Sequence, residues 1–97
     1  MRRAARTDDN QHELVEALKK IGAKCYFIGK PVDLLVAYRG VNFLLEVKRL
    51  DKRGQLSAIT QEQKDFIAGW PGQVAIVHTI DEAINAVVNG SLTPKIG

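Results

Sequence analysis

Asp33, Glu46 and Lys48 are the residues whose types and spacing could do chemistry together. They stand in the run PVDLLVAYRGVNFLLEVK from Pro31 to Lys48, where two apolar stretches, Leu34 to Val36 and Phe43 to Val47, flank Arg39 and Gly40. That is the pattern of two strands joined by a tight turn. With Arg39 and Gly40 as the loop, Tyr38 pairs with Val41, and counting outward sets Asp33 opposite Glu46. Lys48 stands two residues beyond Glu46 and therefore shares its face. Two facing carboxylates repel, by roughly 0.2–1 kcal/mol for an exposed cross-strand pair and by more once desolvated. A hard cation removes that cost. Oxygen ligands on adjacent strands suit Mg²⁺ or Mn²⁺, which take one or two carboxylates, several waters and a substrate phosphate. A neighbouring lysine can stabilise charge on a phosphoryl oxygen or orient the attacking water, which fits the set to metal-dependent nuclease chemistry.

The plain alternative is that charged residues at strand ends are solvated fringe, and that an acid, a spacer and Glu-x-Lys recur by chance. Burial weighs against it. Leu34, Leu35 and Val36, with Phe43, Leu44 and Leu45, are apolar at consecutive positions, which predicts interior strands covered on both faces.

Asp33 followed by Glu46, Val47 and Lys48 resembles the PD...(D/E)xK signature of the restriction-endonuclease-like nuclease superfamily. The closer likeness is to small stand-alone VRR-type nuclease domains of phages and prophages, related to Holliday junction resolvases. The wider pattern is an opening with Asp8, Asn10 and Gln11, then DLLVAYRG before LLEVK, Thr60, Gln63, Phe66, Trp70 and a closing Gly-x-Val-x-x-Val. One departure is visible: the proline that precedes the acid in the signature is displaced here by Val32, giving Pro31-Val32-Asp33. Asp33 is nevertheless the acid that strand pairing selects.

The resemblance implies a Mg²⁺- or Mn²⁺-dependent endodeoxyribonuclease acting on branched or four-way junction DNA. Asp33, Glu46 and the Val47 carbonyl would ligate metal, Lys48 would orient water or stabilise the transition state, and Gln63 and Gln11 would support the site. The family commonly carries a further acid on the first helix, where this chain has the uncharged Gln11. Asp8 or Glu13 could substitute; capping or solvated surface is the ordinary use of all three. A different class of function stays open, a nucleic-acid-binding module that keeps the fold without cleaving.

At 97 residues with 45% hydrophobic content, the chain reads as one α/β domain over residues 1–97, near the size at which a second subunit often helps. A symmetric homodimer is expected as the form that cuts two strands of a junction. The net charge of +3 is mildly basic, and the excess gathers at Arg2, Arg3 and Arg6 and again at Arg49, Lys52 and Arg53, where it could neutralise phosphates. Basic tails are also often merely solubilising. The single Cys25 excludes an internal disulfide framework. No run is apolar and long enough to cross a membrane and the Arg-rich start lacks a signal-peptide core, so the expected location is the cytoplasm of a bacterium or phage-infected host.

The elements that must position the site follow from pattern. A first helix is expected from Thr7 or Asp8 to Gly22, with Leu14, Val15, Leu18 and Ile21 as its buried stripe and Gln11 in line with it. Lys24 to Ile28 reads as a strand and Gly29–Lys30 as the turn into the hairpin. Residues 49–59 read as a basic loop able to close over a nucleic acid backbone, or simply as a solvated connection. Thr60 and Gln63 make the capping box of a second helix running to about Gly69, which turns Gln63 inward to a bound water or phosphate and puts Phe66, Ile67 and Trp70 on the same side. Phe66 and Trp70 are expected in the core, in preference to a base-stacking platform. Gln73 to His78 reads as a buried strand. Thr79 with Glu82 caps a third helix whose inward residues are Ile80, Ala83, Ile84, Val87 and Val88, ended by Asn89 and Gly90. Residues 1–6 and 91–97 are expected as flexible tails, and His12 and His78 as structural or surface groups. The order helix, three strands, helix, strand, helix predicts a restriction-endonuclease-like core, a mixed central sheet flanked by helices.

Overall fold

The structure, a computed structural model, describes residues 9–48 and 58–92. Helix α1 (Asp9–Lys20) buries Leu14, Val15 and Leu18 along one stripe and carries Lys19 and Lys20 in its last turn, where positive charge suits the helix dipole. It stops because Gly22 takes a φ of 99°. There Gly22 N–H donates to the Lys19 carbonyl and Ala23 N–H to that of Leu18, both at 3.0 Å, so a Schellman turn satisfies carbonyls the helix leaves open.

Strand β1 (Lys24–Phe27) then pairs antiparallel with β2 (Leu34–Tyr38), and β2 pairs antiparallel with β3 (Val41–Val47). Tyr38 is opposite Val41, the register expected of a loop made of Arg39 and Gly40. Their φ angles are 52° and 82°, and a two-residue primed turn demands positive φ at both positions. Arg39 tolerates a region that favours glycine, and its guanidinium lies 5.8 Å from the Tyr38 ring centroid. A crossover through α2 (Gln61–Gly69) returns the chain as β4 (Val74–Val77), parallel to β3. The sheet order is β1-β2-β3-β4, and α3 (Ile80–Leu92) follows. The expected order of elements is therefore observed, as an α/β fold whose mixed four-stranded sheet is flanked by helices.

The two faces of the sheet are covered unequally. Val36, Phe43, Leu45 and Val47 alternate onto one face, where they form a single core with Leu14 and Leu18 of α1 and Ala83 and Val87 of α3. The other face carries Asp33, Leu35, Leu44 and Glu46 by the same alternation. Among the described residues only the short α2 approaches it, burying none of its own residues, and Leu35 is left 37% exposed. The expectation of strands covered on both faces thus holds for one face alone. Phe66 is half-buried and Trp70 is 43% exposed, so neither belongs to the core in which they were expected.

Helix α3 also corrects the sequence. It runs through Asn89 and Gly90 to Leu92, where those two residues were expected to end it. Gly90 is a packing notch: a Cβ there would collide with Cε2 of the Phe43 ring. At the other end the Thr79 hydroxyl accepts from Glu82 N–H at 3.0 Å as expected, and the Glu82 carboxylate reaches both the Thr79 N–H of the cap and His78. It takes the His78 N–H at 2.6 Å and meets Nδ1 at 3.0 Å, and these bonds hold the exposed Glu82 carboxyl below its ordinary pKa. His78 is accordingly a structural group. His12 is exposed, its ring tilted against Phe27 with centroids 5.3 Å apart. No helix among the described residues is long and apolar enough to cross a membrane.

Candidate metal centre

Asp33 is held at the mouth of β2 by its own backbone, whose carbonyl accepts from Ile28 N–H at 2.9 Å and Gly29 N–H at 3.3 Å. Its side chain reaches across to β3, where Oδ2 accepts the Val47 N–H at 2.8 Å. That bond extends the hairpin past its last backbone pair, Leu34 with Leu45, and brings the Asp33 carboxylate beside Glu46. Lys48 is fixed in turn by β4, because its N–H donates to the Val77 carbonyl at 2.9 Å. Two neighbouring strands thus pin the backbone on either side of the Glu46–Lys48 segment.

Glu46 is 2% exposed, the one buried charged side chain among the described residues. Its two oxygens have different surroundings. Oε2 lies 3.2 Å from Lys48 Nζ and accepts from Gln63 Nε2 at 2.9 Å. Oε1 is buried and has no hydrogen-bond partner among the described residues. Burial is the main cause that pushes the Glu46 pKa above its ordinary value, and the Asp33 charge adds to it; Lys48 and Gln63 oppose the shift without cancelling it. A buried carboxylate oxygen without a donor is costly unless something positive meets it. Paired with a second carboxylate on the adjacent strand, this donor set fits a hard divalent cation. Among the described residues no group of three or more His, Cys, Asp or Glu side chains could hold a metal, so two acids and main-chain oxygen are what the site offers. Mg²⁺ commonly binds proteins through one or two carboxylates.

Gln63 does more than pattern indicated. Its N–H donates to the Thr60 hydroxyl at 3.1 Å while its Oε1 accepts from Thr60 N–H at 3.2 Å, the reciprocal capping box. The same amide then spends its NH₂ on Glu46. One side chain closes the start of α2 and fixes the rotamer of the buried acid. Lys48 Nζ also donates to the Ala58 carbonyl at 3.3 Å, tying the segment before α2 to the site.

Asp33, Glu46, Val47, Lys48 and Gln63 are therefore brought together. Gln11 is half-buried on α1, which packs with α3 on the core face, whereas Glu46 is one residue out of phase with the core-facing Leu45 and Val47. Glu13 is exposed on the same helix. Asp8 and the basic residues Arg3, Arg6, Arg49, Lys52 and Arg53 lie outside the described residues. Lys30 is a basic group that pattern alone assigned to a turn. It lines a cleft of about 380 Å³ with Gly29, Pro31, Thr60, Glu62 and Gln63, beside the acids. Its place three residues before Asp33, next to Pro31, was the available signal. Comparison with protein-family models, with curated proteins and with solved structures found no match for this chain.

Proposed function

We propose that the protein is a Mg²⁺- or Mn²⁺-dependent endonuclease that hydrolyses phosphodiester bonds in DNA. The observation that carries this is Glu46, a buried carboxylate with one oxygen clamped by Lys48 and Gln63 and the other without a donor. Asp33, Glu46 and the Val47 carbonyl would hold the cation. When bound, such an ion polarises a phosphoryl oxygen and makes water nucleophilic near neutral pH. Asp33 would keep its carboxylate at the ion by accepting the Val47 N–H, and the bond from Lys48 N–H to the Val77 carbonyl fixes the peptide whose Val47 carbonyl would be the third ligand. Gln63 holds Glu46 in one rotamer. Lys48 has three ammonium hydrogens and uses them on Glu46 and Ala58, leaving capacity to orient the attacking water or meet charge on the phosphoryl oxygen.

The likeness to PD-(D/E)xK nucleases supports branched DNA as substrate and a two-fold homodimer as the form that places two such sites on a four-way junction. Lys30 in the cleft, together with Arg49, Lys52, Arg53, Arg3 and Arg6 of the basic segments, would neutralise backbone phosphates.

Nicking of supercoiled plasmid by purified protein, with and without Mg²⁺, tests the proposal. Glu46→Ala is expected to lose detectable nicking and Lys48→Ala to lose about 10²–10³-fold, with both variants folded by circular dichroism. A variant that nicks like the parent would show the site to be misplaced. Binding of DNA with no cleavage under either metal would leave a nucleic-acid-binding module.

A further inference from the structure

The open face of the sheet holds a second feature beside the acids. Trp70, directly after α2, forms one wall of a slot of about 280 Å³ whose other boundaries include Leu35, Leu44, Asn42 and Gln73. The indole is 43% exposed yet held in place from two sides. Phe66 backs it with ring centroids 5.0 Å apart, and beneath it Gly72 leaves the room it needs, since a methyl there would come within 2.8 Å of Nε1. An exposed aromatic plane with an apolar floor and a rim of two amides matches the flat face and hydrogen-bonding edge of a nucleobase. We propose that this slot seats one unstacked base of the DNA strand being cut, so that the protein selects strands with unpaired bases.

The place of the slot supports that occupant. Leu44 is two residues from Glu46 on the same face of β3, about 7 Å away, and Trp70 is seven residues from Gln63, roughly 10 Å along the helix direction. At ~3.4 Å per stacked nucleotide, a phosphate at Glu46 puts a base about two nucleotides off within reach. Charge agrees as well. Apart from Asp33 and Glu46, the described strands turn no acid to this face, whereas Lys24 alternates onto it beside the exposed Tyr26, whose partner across β2 is Leu35. An aromatic row flanked by lysine suits a single strand, whose bases stack while its phosphates need cations.

The inference rests on the nuclease reading for the position of the cut, and its test separates the two. Trp70 is the single tryptophan of the chain, so indole fluorescence, excited selectively over the tyrosines, reports on the slot alone. The full-length protein is titrated, in chelator so that no strand is cut, with an oligothymidylate and with a hairpin duplex of equal length. The expected result is saturable quenching by the oligothymidylate and little by the duplex. By anisotropy of labelled DNA, Trp70→Ala should lower the ratio of single-strand to duplex affinity about ten-fold, and Trp70→Phe should recover part of the loss. Gly72→Ala, which crowds the indole out of its seat without deleting it, should lower the same ratio and serves if Trp70→Ala does not fold. Bound oligothymidylate with unchanged emission would overturn the proposal, as would an unchanged ratio in the variants. Light scattering in which Trp70→Ala turns a dimer into a monomer at constant ratio would assign the face to a second copy. Quenching without nicking under any metal would leave the base slot standing and remove the nuclease; nicking without quenching would do the reverse.

Discussion

The two faces of the four-stranded sheet are made by the same strands, one residue out of phase, yet they are built for opposite purposes. On one, Val36, Phe43, Leu45 and Val47 meet α1 and α3 in a continuous apolar core, close enough at Gly90 that a methyl group would strike Phe43. On the other, a buried unsatisfied acid and a second carboxylate stand beside a helix none of whose own residues is buried and which ends on an exposed tryptophan. A carboxylate repelled by its neighbour and denied water is a net cost, and a domain of this size tolerates it only if stability comes from elsewhere. The core face supplies that stability, while on the other the cleft at Lys30 and Gln63 opens beside the buried Glu46.

The sharpest way to break this comparison is to truncate matched leucines. Leu45→Ala on the core face should cost about 2–5 kcal/mol, because Leu45 is fully buried and its neighbours are fixed by two helices. Leu35→Ala, on the adjacent strand but the open face, should cost about 1 kcal/mol or less, as much of that side chain is already in water. Urea unfolding of both variants decides it. Equal losses would mean that the open face contributes to the fold as much as the core does.

The hairpin and the facing acids were legible in the chain because both depend on local rules. Arg39-Gly40 can only be a tight turn between those two apolar runs, and once the turn is set, alternation fixes which residues share a face. The helix caps at Thr60 and Thr79 were legible for the same reason. What escaped was tertiary. Phe66, Ile67 and Trp70 at helical spacing announce an amphipathic helix but not how much sheet it covers, so Trp70 was placed in a core it does not join. Gly90 after Asn89 looks like a helix stop until Phe43 is seen against it. Gln63 was correctly turned inward, but its bond to Glu46 spans 17 residues and nothing local encodes that partner. Glu82 likewise reaches beyond its helix cap to His78, a partner the capping pattern does not name.

Metal should reverse the cost on the open face while leaving the core face unchanged. A ligand that binds only the folded protein stabilises it by about 2.7 kcal/mol at a hundredfold excess over its dissociation constant, a rise in Tm on the order of 10 °C for a domain of this size. Asp33→Asn should lose most of that rise, whereas Leu35→Ala should keep it from a nearby starting temperature. Ca²⁺ should stabilise the parent without supporting nicking, because its looser coordination positions water less strictly. Scanning calorimetry with and without each ion measures the shifts. Equal shifts in the parent and Asp33→Asn would place the cation away from the acids.

The smallest effect belongs to protons in the absence of metal, because Lys48 and Gln63 already offset part of what burial and Asp33 impose on Glu46. The folded pKa of Glu46 is raised, so between its ordinary value and the raised one the native state holds a proton that the unfolded chain has released. Stability from this group is then fully present below the ordinary carboxylate value and is lost as pH rises through the folded pKa. Glu46→Gln removes that dependence, because an amide does not titrate. It introduces its own penalty, an NH₂ where Oε1 has no partner, but that penalty is constant with pH. The slope therefore carries the information, and the offset does not. As pH falls from neutrality to below the ordinary carboxylate value, in chelator, the metal-free parent should gain stability relative to Glu46→Gln, and saturating Mg²⁺ at neutral pH should favour the parent in the same direction. Urea midpoints for the two proteins at several pH values measure it, and a difference that stays flat across the range would mean that the Glu46 carboxylate is neither buried nor repelled as the open face requires.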